Sequence, residues 1–401
     1  MFNTFSVDAI RKDFPLLHQK VIYFDTACMS LKPQCVIDRV VEYYSQYTAC
    51  GGRSAHSLAM QVADRVQHTR DTVKNFLHAG SSSEIVLTKN TTEGLNIVAS
   101  GLSLKKGDEV VLSDKEHNSN LLPWLRLREH GVTVKIVESN PDTTFNLERF
   151  EEALTKSSKL VSLVHTSNID GVTNPLKEIV KISHDHDALV CVDAAQSVPH
   201  CDVDVKRLDV DFLAFSGHKV LGPTGTGVLY GKKELLEVMQ PAFVGGGTVV
   251  DSTFDGYILD HSPVKFEAGL QDYAGIIALA DALDYVKKVG FATIEKHVKR
   301  LNTLMTESLL PHSRLRLLGP EDPALRGNVF SFIPKDMDIH VFSNLLDSSK
   351  KILTRSGAHC VHAWFNKHHL KGSVRASLYF YNTEEEVKTF VDEVKKILQL
   401  G

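Results

Sequence analysis

A chain of 401 residues, 43% hydrophobic and 23% charged, is long enough to bury a large core and is expected to form two domains. Its formal net charge of -4 gives no global reason to bind nucleic acid, no apolar run is long enough to span a bilayer, and the N-terminus lacks the basic-then-apolar pattern of a signal peptide; the expected location is cytoplasmic, with neither nucleic acid nor membrane as partner. Six cysteines (Cys28, Cys35, Cys50, Cys191, Cys201 and Cys360) show no C-x-x-C spacing and are too sparse for a disulfide scaffold.

After an N-terminal segment, residues 1–20, expected to pack on the smaller domain, a large domain is expected over residues 21–275. Strand-like runs such as Glu84-Ile85-Val86-Leu87, Glu109-Val110-Val111-Leu112 and Leu160-Val161-Ser162-Leu163-Val164 alternate there with helical patterns. That alternation predicts an α/β fold, a mostly parallel sheet covered on both faces. Thr91 and Thr92 precede a helical pattern over Glu93 to Ser100, whose free N–H groups and dipole favour a phosphate. Ala188 to Val192 reads as a strand buried on both faces and runs straight into Asp193-Ala194-Ala195-Gln196. Asp193 and Gln196 thus fall where the carboxyl ends of parallel strands open onto a ligand crevice. Val210 to Phe215 is a second such run and ends directly before Ser216-Gly217-His218-Lys219. Small residues follow in Gly222-Pro223-Thr224-Gly225-Thr226-Gly227, which leaves room for a bulky planar group against the backbone. A helix over Ile276 to Val289 opens the smaller domain, residues 276–401. Beyond it come a helix near Phe291 to Leu310, strands near Asn328 to Ile333 and Val374 to Tyr379, and a terminal helix over Glu384 to Leu400. There is no internal repeat and no low-complexity linker.

An acid and a lysine on neighbouring strand ends match the needs of pyridoxal phosphate. The lysine attacks the cofactor aldehyde, and the acid keeps the pyridine nitrogen protonated so that the ring draws electrons from the substrate's α-carbon. The attacking amine must be neutral, which partial burial beside a cationic ring and His218 would favour. Other readings fit less of the sequence. The cluster His359, Cys360, His362, His368 and His369 has metal-ligand types but lies in one loop without a second matching group. The glycines at 222–227 form neither G-x-G-x-x-G nor a Walker loop, and a nucleotide would leave Asp193 unexplained. An interaction protein without catalysis has no need of the lysine, acid and cysteine together.

Separated motifs then occur in one order. They are Tyr23-Phe24-Asp25-Thr26-Ala27, Thr91-Thr92-Glu93-Gly94, Glu116-His117-Asn118-Ser119-Asn120, His165-Thr166-Ser167-Asn168, Val192-Asp193-Ala194-Ala195-Gln196, Ser216-Gly217-His218-Lys219, Phe266-Glu267-Ala268-Gly269, Arg355-Ser356-Gly357-Ala358-His359-Cys360, Arg375-Ala376-Ser377-Leu378 and Tyr381-Asn382-Thr383. In these motifs the chain resembles the pyridoxal-phosphate enzymes of aminotransferase class V, and most of all the group II cysteine desulfurases, over nearly its whole length.

The resemblance implies the transferase fold of type I: a mostly parallel seven-stranded sheet in the large domain and an α+β C-terminal domain. It implies a homodimer that converts L-cysteine to L-alanine and passes sulfur to a protein acceptor for iron–sulfur cluster or thio-cofactor assembly. L-selenocysteine lyase, another C–S lyase and an epimerase are alternative reactions of the same class. Thr91, Thr92, Ser216 and His218 would hold the phosphate, His117 would stack on the pyridine, Asn168 and Gln196 would bond its 3-oxygen, Asp193 its nitrogen, and Lys219 would carry it. Cys360 would be the nucleophile that becomes a persulfide; the thiolate is the reactive form, and His359, His362 or Arg355 nearby would raise its fraction. Arg375 offers a two-pronged donor for the substrate carboxylate, with Arg355 beside it. Arg53 and His56, in Gly51-Gly52-Arg53-Ser54-Ala55-His56, resemble a segment at the active-site entrance, for which the partner subunit is one source.

The chain also departs from the pattern. Leu270 stands where many group II members have a threonine that reaches the phosphate across the dimer, and leucine cannot donate a hydrogen bond. Either another residue such as Gln271 substitutes or the contact is missing. Ala358 replaces a common histidine, and His362-Ala363-Trp364-Phe365 is more aromatic than the usual continuation.

Overall fold

The computed structural model of the protein describes residues 6–400. Seven strands form its principal sheet: β1 (Ile85–Thr88), β2 (Glu109–Ser113), β3 (Thr133–Val137), β4 (Ser158–Val164), β5 (Leu189–Asp193), β6 (Phe212–Ser216) and β7 (Gly227–Gly231). Their order is β1-β7-β6-β5-β4-β2-β3. All pairings are parallel except those of β7, which runs antiparallel to both β1 and β6. Helices cover both faces, so every residue of β1, β6 and β7 is buried, and the near-continuous apolar composition of these strands follows from having no solvent side.

The predicted strands are present with ends shifted by one or two residues. The Ala188 N–H, for example, bonds the Ser183 carbonyl at 3.0 Å and closes the turn from the preceding helix, so β5 starts one residue later than the apolar run. A larger difference concerns the threonines. Helix α1 spans Thr91–Gly101, and Asn90 is its N-cap, extended and accepting from the Glu93 N–H at 3.0 Å. Thr91 and Thr92 therefore sit inside the first turn, because Asn90 takes the capping place. Helix α2 (Asn118–Arg126) is capped in the same way by His117.

Beyond β7, helix α3 (Tyr273–Val289) leads through the turn at Gly290 into α4 (Phe291–Leu309). A four-stranded antiparallel sheet follows, made of β8 (Leu315–Leu318), β9 (Val329–Pro334), β10 (Arg355–Gly357) and β11 (Ser373–Ser377) in the order β8-β9-β11-β10. Helix α5 (Glu384–Leu398), which opens on a capping box at Thr383 and Glu386, packs against α4. The N-terminal part of the chain is tied to this smaller sheet. Ile22–Tyr23 pairs in parallel with Ile352–Leu353, and Asp25 bridges to Ser377. These pairings bring Ala27 and Cys28 beside the strands that carry Arg355 and Arg375. No helix among the described residues is long and apolar enough to cross a membrane.

Candidate active site

One open cleft, with about 800 Å³ of empty space, lies at the carboxyl ends of β4, β5 and β6. It gathers Thr91, Thr92, His117, Asn168, Asp193, Gln196, Ser216, His218, Lys219, Arg355, Cys360 and Arg375 on one wall or another. Parallel register explains the first part of this convergence. Asp193 of β5 lies opposite Ala214 of β6, so the acid and the lysine that follows β6 are presented at the same sheet edge. The Thr91 N–H and hydroxyl meet the Ser216 hydroxyl at 2.9 and 2.6 Å, which locks the start of α1 to the end of β6. Close packing behind this joint requires glycine at 227, since a Cβ there would lie 2.5 Å from Asn90 Cα. Ser119 links Thr92 (2.7 Å) to His117 Nδ1 (2.9 Å). Gln196 Nε2 donates to the Ala27 carbonyl at 2.7 Å, and Asn168 Nδ2 donates to the His359 carbonyl at 2.8 Å. Arg375 donates to the Asn168 carbonyl (3.1 Å) and to Asp25 (3.3 Å).

Burial dominates the electrostatics. The Asp193 carboxyl is raised above its ordinary value by burial and lowered in part by Lys219; it accepts a hydrogen bond from the Ala195 N–H at 3.0 Å. Lys219 is lowered by burial, against the pull of Asp193. Burial, with Lys219 next, takes His117 down to about 3 and His218 down to about 4, so both imidazoles are neutral at pH 7. Behind His117, Glu116 is pushed up to about 8 by burial despite hydrogen bonds from Ser113, Asn120 and the Val164 N–H.

Residues 22–390 match the family model for aminotransferase class-V. The chain belongs to the aminotransferase class V family. Among curated proteins it is 40% identical over 396 residues to a probable cysteine desulfurase of Methanothermobacter thermautotrophicus, covering 98% of each chain. It is also 40% identical over 394 residues to a probable cysteine desulfurase of Pyrococcus abyssi, covering 97% of each. Among solved structures, the apo cysteine desulfurase of Thermococcus onnurineus superposes with a TM-score of 0.96 at 38% identity, with all of both chains covered. A cysteine desulfurase of Escherichia coli in S-sulfonic acid form gives 0.91 at 33% identity, with 99% of this chain and all of the other covered.

The cleft of this class V chain fits pyridoxal 5'-phosphate. Two polar atoms on its walls, Asn168 Oδ1 and Arg375 Nε, are buried without a partner among the described residues, and the residues that carry them are 5% and 2% exposed. They offer an acceptor and a donor to a polar guest. Asp193 presents a desolvated carboxylate suited to a ring cation, and the first turn of α1 with the Thr92, Ser216 and His218 side chains suits a phosphate.

The cysteine loop of this class V chain leaves β10 through two consecutive non-glycine residues in the left-handed region, His359 (φ 48°) and Cys360 (φ 60°). Such residues each cost on the order of 1 kcal/mol and persist where surroundings over-determine them. Here the Cys360 carbonyl accepts from the Asn118 N–H at 2.7 Å, His359 bonds Ser373 at 2.8 Å, and Trp364 and Phe365 anchor the following helix in an apolar cluster with Ile169, Leu318 and Val361. The three expected cationic neighbours of Cys360 are engaged elsewhere. His359 is buried and held well below the ordinary histidine value, first by that burial and then by Arg375 and Arg355. His362 meets Asn118 at 2.9 Å, and Arg355 donates to Cys28 Sγ at 2.6 Å. His368 stacks on Trp364 with ring centroids 4.1 Å apart, and among the described residues no three His, Cys, Asp or Glu side chains are grouped to hold a metal ion.

Some predicted residues lie apart from the cleft within the single chain. Arg53 is exposed and reaches the Gly269 carbonyl at 3.4 Å, and His56 caps the helix Ser57–Phe76 by accepting from the Ala59 N–H. Leu270 is 67% exposed, and the Gln271 side-chain amide donates to the nearby Ala268 and Gly269 carbonyls. Ser119 and Cys28 are among the cleft residues that the sequence reading does not name as site residues. Ser119 was within reach, since it stands in the His117-Asn118-Ser119-Asn120 motif. Cys28 carries no signal of its own in sequence, because it meets Arg355 through the pairing of Ile22–Tyr23 with Ile352–Leu353 and the bridge from Asp25 to Ser377.

Proposed function

We propose that the protein is a pyridoxal-phosphate-dependent cysteine desulfurase that converts L-cysteine to L-alanine and moves the sulfur to Cys360 as a persulfide. The observation that carries this reading is the presence of Cys360 in one cleft with Lys219, Asp193 and Arg375. Curated relatives near 40% identity over the full chain bear the same activity in their names. When bound, the cofactor supplies an electron sink for the substrate's α-carbon.

The protein's own groups do the rest. Asp193 would hold a negative charge for the ring nitrogen, and His117, neutral, would pack against the ring. Thr91, Thr92, Ser216 and His218 would hold the phosphate, and Asn168 and Gln196 would serve the 3-oxygen. Arg375 binds the substrate carboxylate with charge-assisted hydrogen bonds, with Arg355 at its side. Lys219, whose amine burial shifts toward the neutral form, takes the α-proton at Nζ and returns one to carbon. Cys360 Sγ bonds to the substrate sulfur as the substrate's C–S bond breaks.

The persulfide then passes to a sulfur-acceptor protein for iron–sulfur or thio-cofactor assembly. The working unit is a homodimer. An apolar hairpin, Val249–Ser252 with Tyr257–Leu259, lies exposed on the single chain with Val250 at 65% and Ile258 at 63%, and a second copy would cover it. In that dimer Arg53 and His56 would serve the neighbouring subunit's entrance.

The test is alanine and sulfide release from L-cysteine under reductant, with cofactor-loaded protein and its Cys360→Ala variant side by side. Release is expected to fall on the order of 100-fold or more in the variant. Equal release from both would leave a lyase that does not use this nucleophile.

A further inference from the structure

The same cleft holds a second thiol that the desulfurase reading leaves without a task. Cys28, half-buried like Cys360, lines the cavity with Cys360 and Lys219, whereas Cys191 is enclosed in β5 and Cys35, Cys50 and Cys201 lie outside this cleft. Both Cys28 and Cys360 are close enough to the Lys219 amine to act on it electrostatically. Cys28 is also held: Arg355 Nη1 donates to its sulfur at 2.6 Å, and Arg355 opens β10, the strand that delivers the Cys360 loop. Arg355 stands opposite Arg375 in the β10–β11 register, so two guanidinium groups flank this end of the cleft. Arg375 also donates to the Asn168 carbonyl, and Arg375 Nε and Asn168 Oδ1 are buried with no partner among the described residues, so this end of the cleft can take a polar guest. An anionic sulfur arriving there meets charge-assisted donors and a thiol already oriented by one of them.

We propose that Cys28 is a second sulfur acceptor, which takes the terminal sulfur from the Cys360 persulfide; the proposal rests on the desulfurase reading. The Cys28 thiolate attacks the outer sulfur of that persulfide. A Cys28 Sγ–S bond forms, the Cys360 Sγ–S bond breaks, and its electron pair returns to Cys360 as thiolate while the proton stays on the sulfur transferred. One sulfur–sulfur bond replaces another, so no oxidant or reductant is consumed. Cys360 is thereby freed for another turnover, and one subunit stores two sulfurs before any acceptor arrives.

The experiment is a rapid-quench burst with the holoenzyme and excess L-cysteine, without added reductant or acceptor. Alanine is counted per subunit, and alkylated persulfides are mapped by mass spectrometry on the Cys28 and Cys360 peptides. The expected burst is about two alanines per subunit, falling to about one in Cys28→Ala and in Cys28→Ser, with persulfide on both cysteines of the unaltered enzyme and none on Cys28 in Cys360→Ala. Equal bursts in all Cys28 variants, with persulfide on Cys360 alone, would overturn the relay and leave the desulfurase reading standing. Persulfide on Cys28 in Cys360→Ala would overturn the direction of transfer. Persulfide on neither cysteine would overturn the desulfurase reading itself, and the relay with it.

Discussion

Asp193 and Lys219 are each pushed by burial away from their charged forms and pulled back by the other, so the amine is shifted toward its neutral form while it keeps its acidic neighbour. His117 and His218, neutral at pH 7 through burial, add no positive charge that would repel a cationic ring. Glu116 extends this logic beneath the cleft. Its carboxyl rises from 4.5 to about 8, so between those values the folded protein holds a proton that the unfolded chain has released. Stability contributed by this group is therefore complete below pH 4.5 and is lost as pH rises through about 8. Glu116→Gln is expected to flatten the decline in unfolding free energy on that interval, removing a difference of a few kcal/mol. Urea unfolding of both proteins at matched pH values on each side of neutrality measures it, and parallel curves would show that Glu116 is ionised in the fold.

At the level of elements, the site depends on how tightly the start of α1 is seated on the ends of β6 and β7. Asn90 caps the helix, Thr91 clasps Ser216, and Gly227 gives the backbone room to come this close. Gly227→Ala would set a Cβ 2.5 Å from Asn90 Cα and 2.7 Å from its nitrogen, so backbone has to move. A loss of about 1–3 kcal/mol is expected, with weaker cofactor retention because the turn proposed to hold the phosphate moves with Asn90. Thermal unfolding and a pyridoxal phosphate titration read the two effects, and retention unchanged in a destabilised variant would uncouple the turn from this joint. The helix itself was legible in sequence. Its first residue was not, because Asn, Thr and Thr in a row all cap well and only the backbone of Asn90, extended at φ -178°, selects one of them.

For the whole molecule, the exposed apolar hairpin and the distance of Arg53 and His56 from their own cleft point to the same assembly. The holoenzyme is expected to be dimeric by light scattering, and Val250→Lys combined with Ile258→Lys to shift it toward monomer with loss of activity. A monomeric and fully active holoenzyme would remove the partner's part in the site. The sequence by itself determined the α/β alternation, the strand-end positions of Asp193 and Lys219, and the loop that carries Cys360, because hydrophobic period and residue chemistry are local properties of the chain. It also carried enough separated motifs to point to the class V family. Tertiary structure alone decided which groups touch. It turned His359 inward to Ser373, engaged His362 with Asn118, and set Arg355 on Cys28 instead of Cys360. Each of the last two contacts joins segments more than 200 residues apart, and such meetings arise only when sheets pair and helices pack, through burial and register that no local pattern encodes.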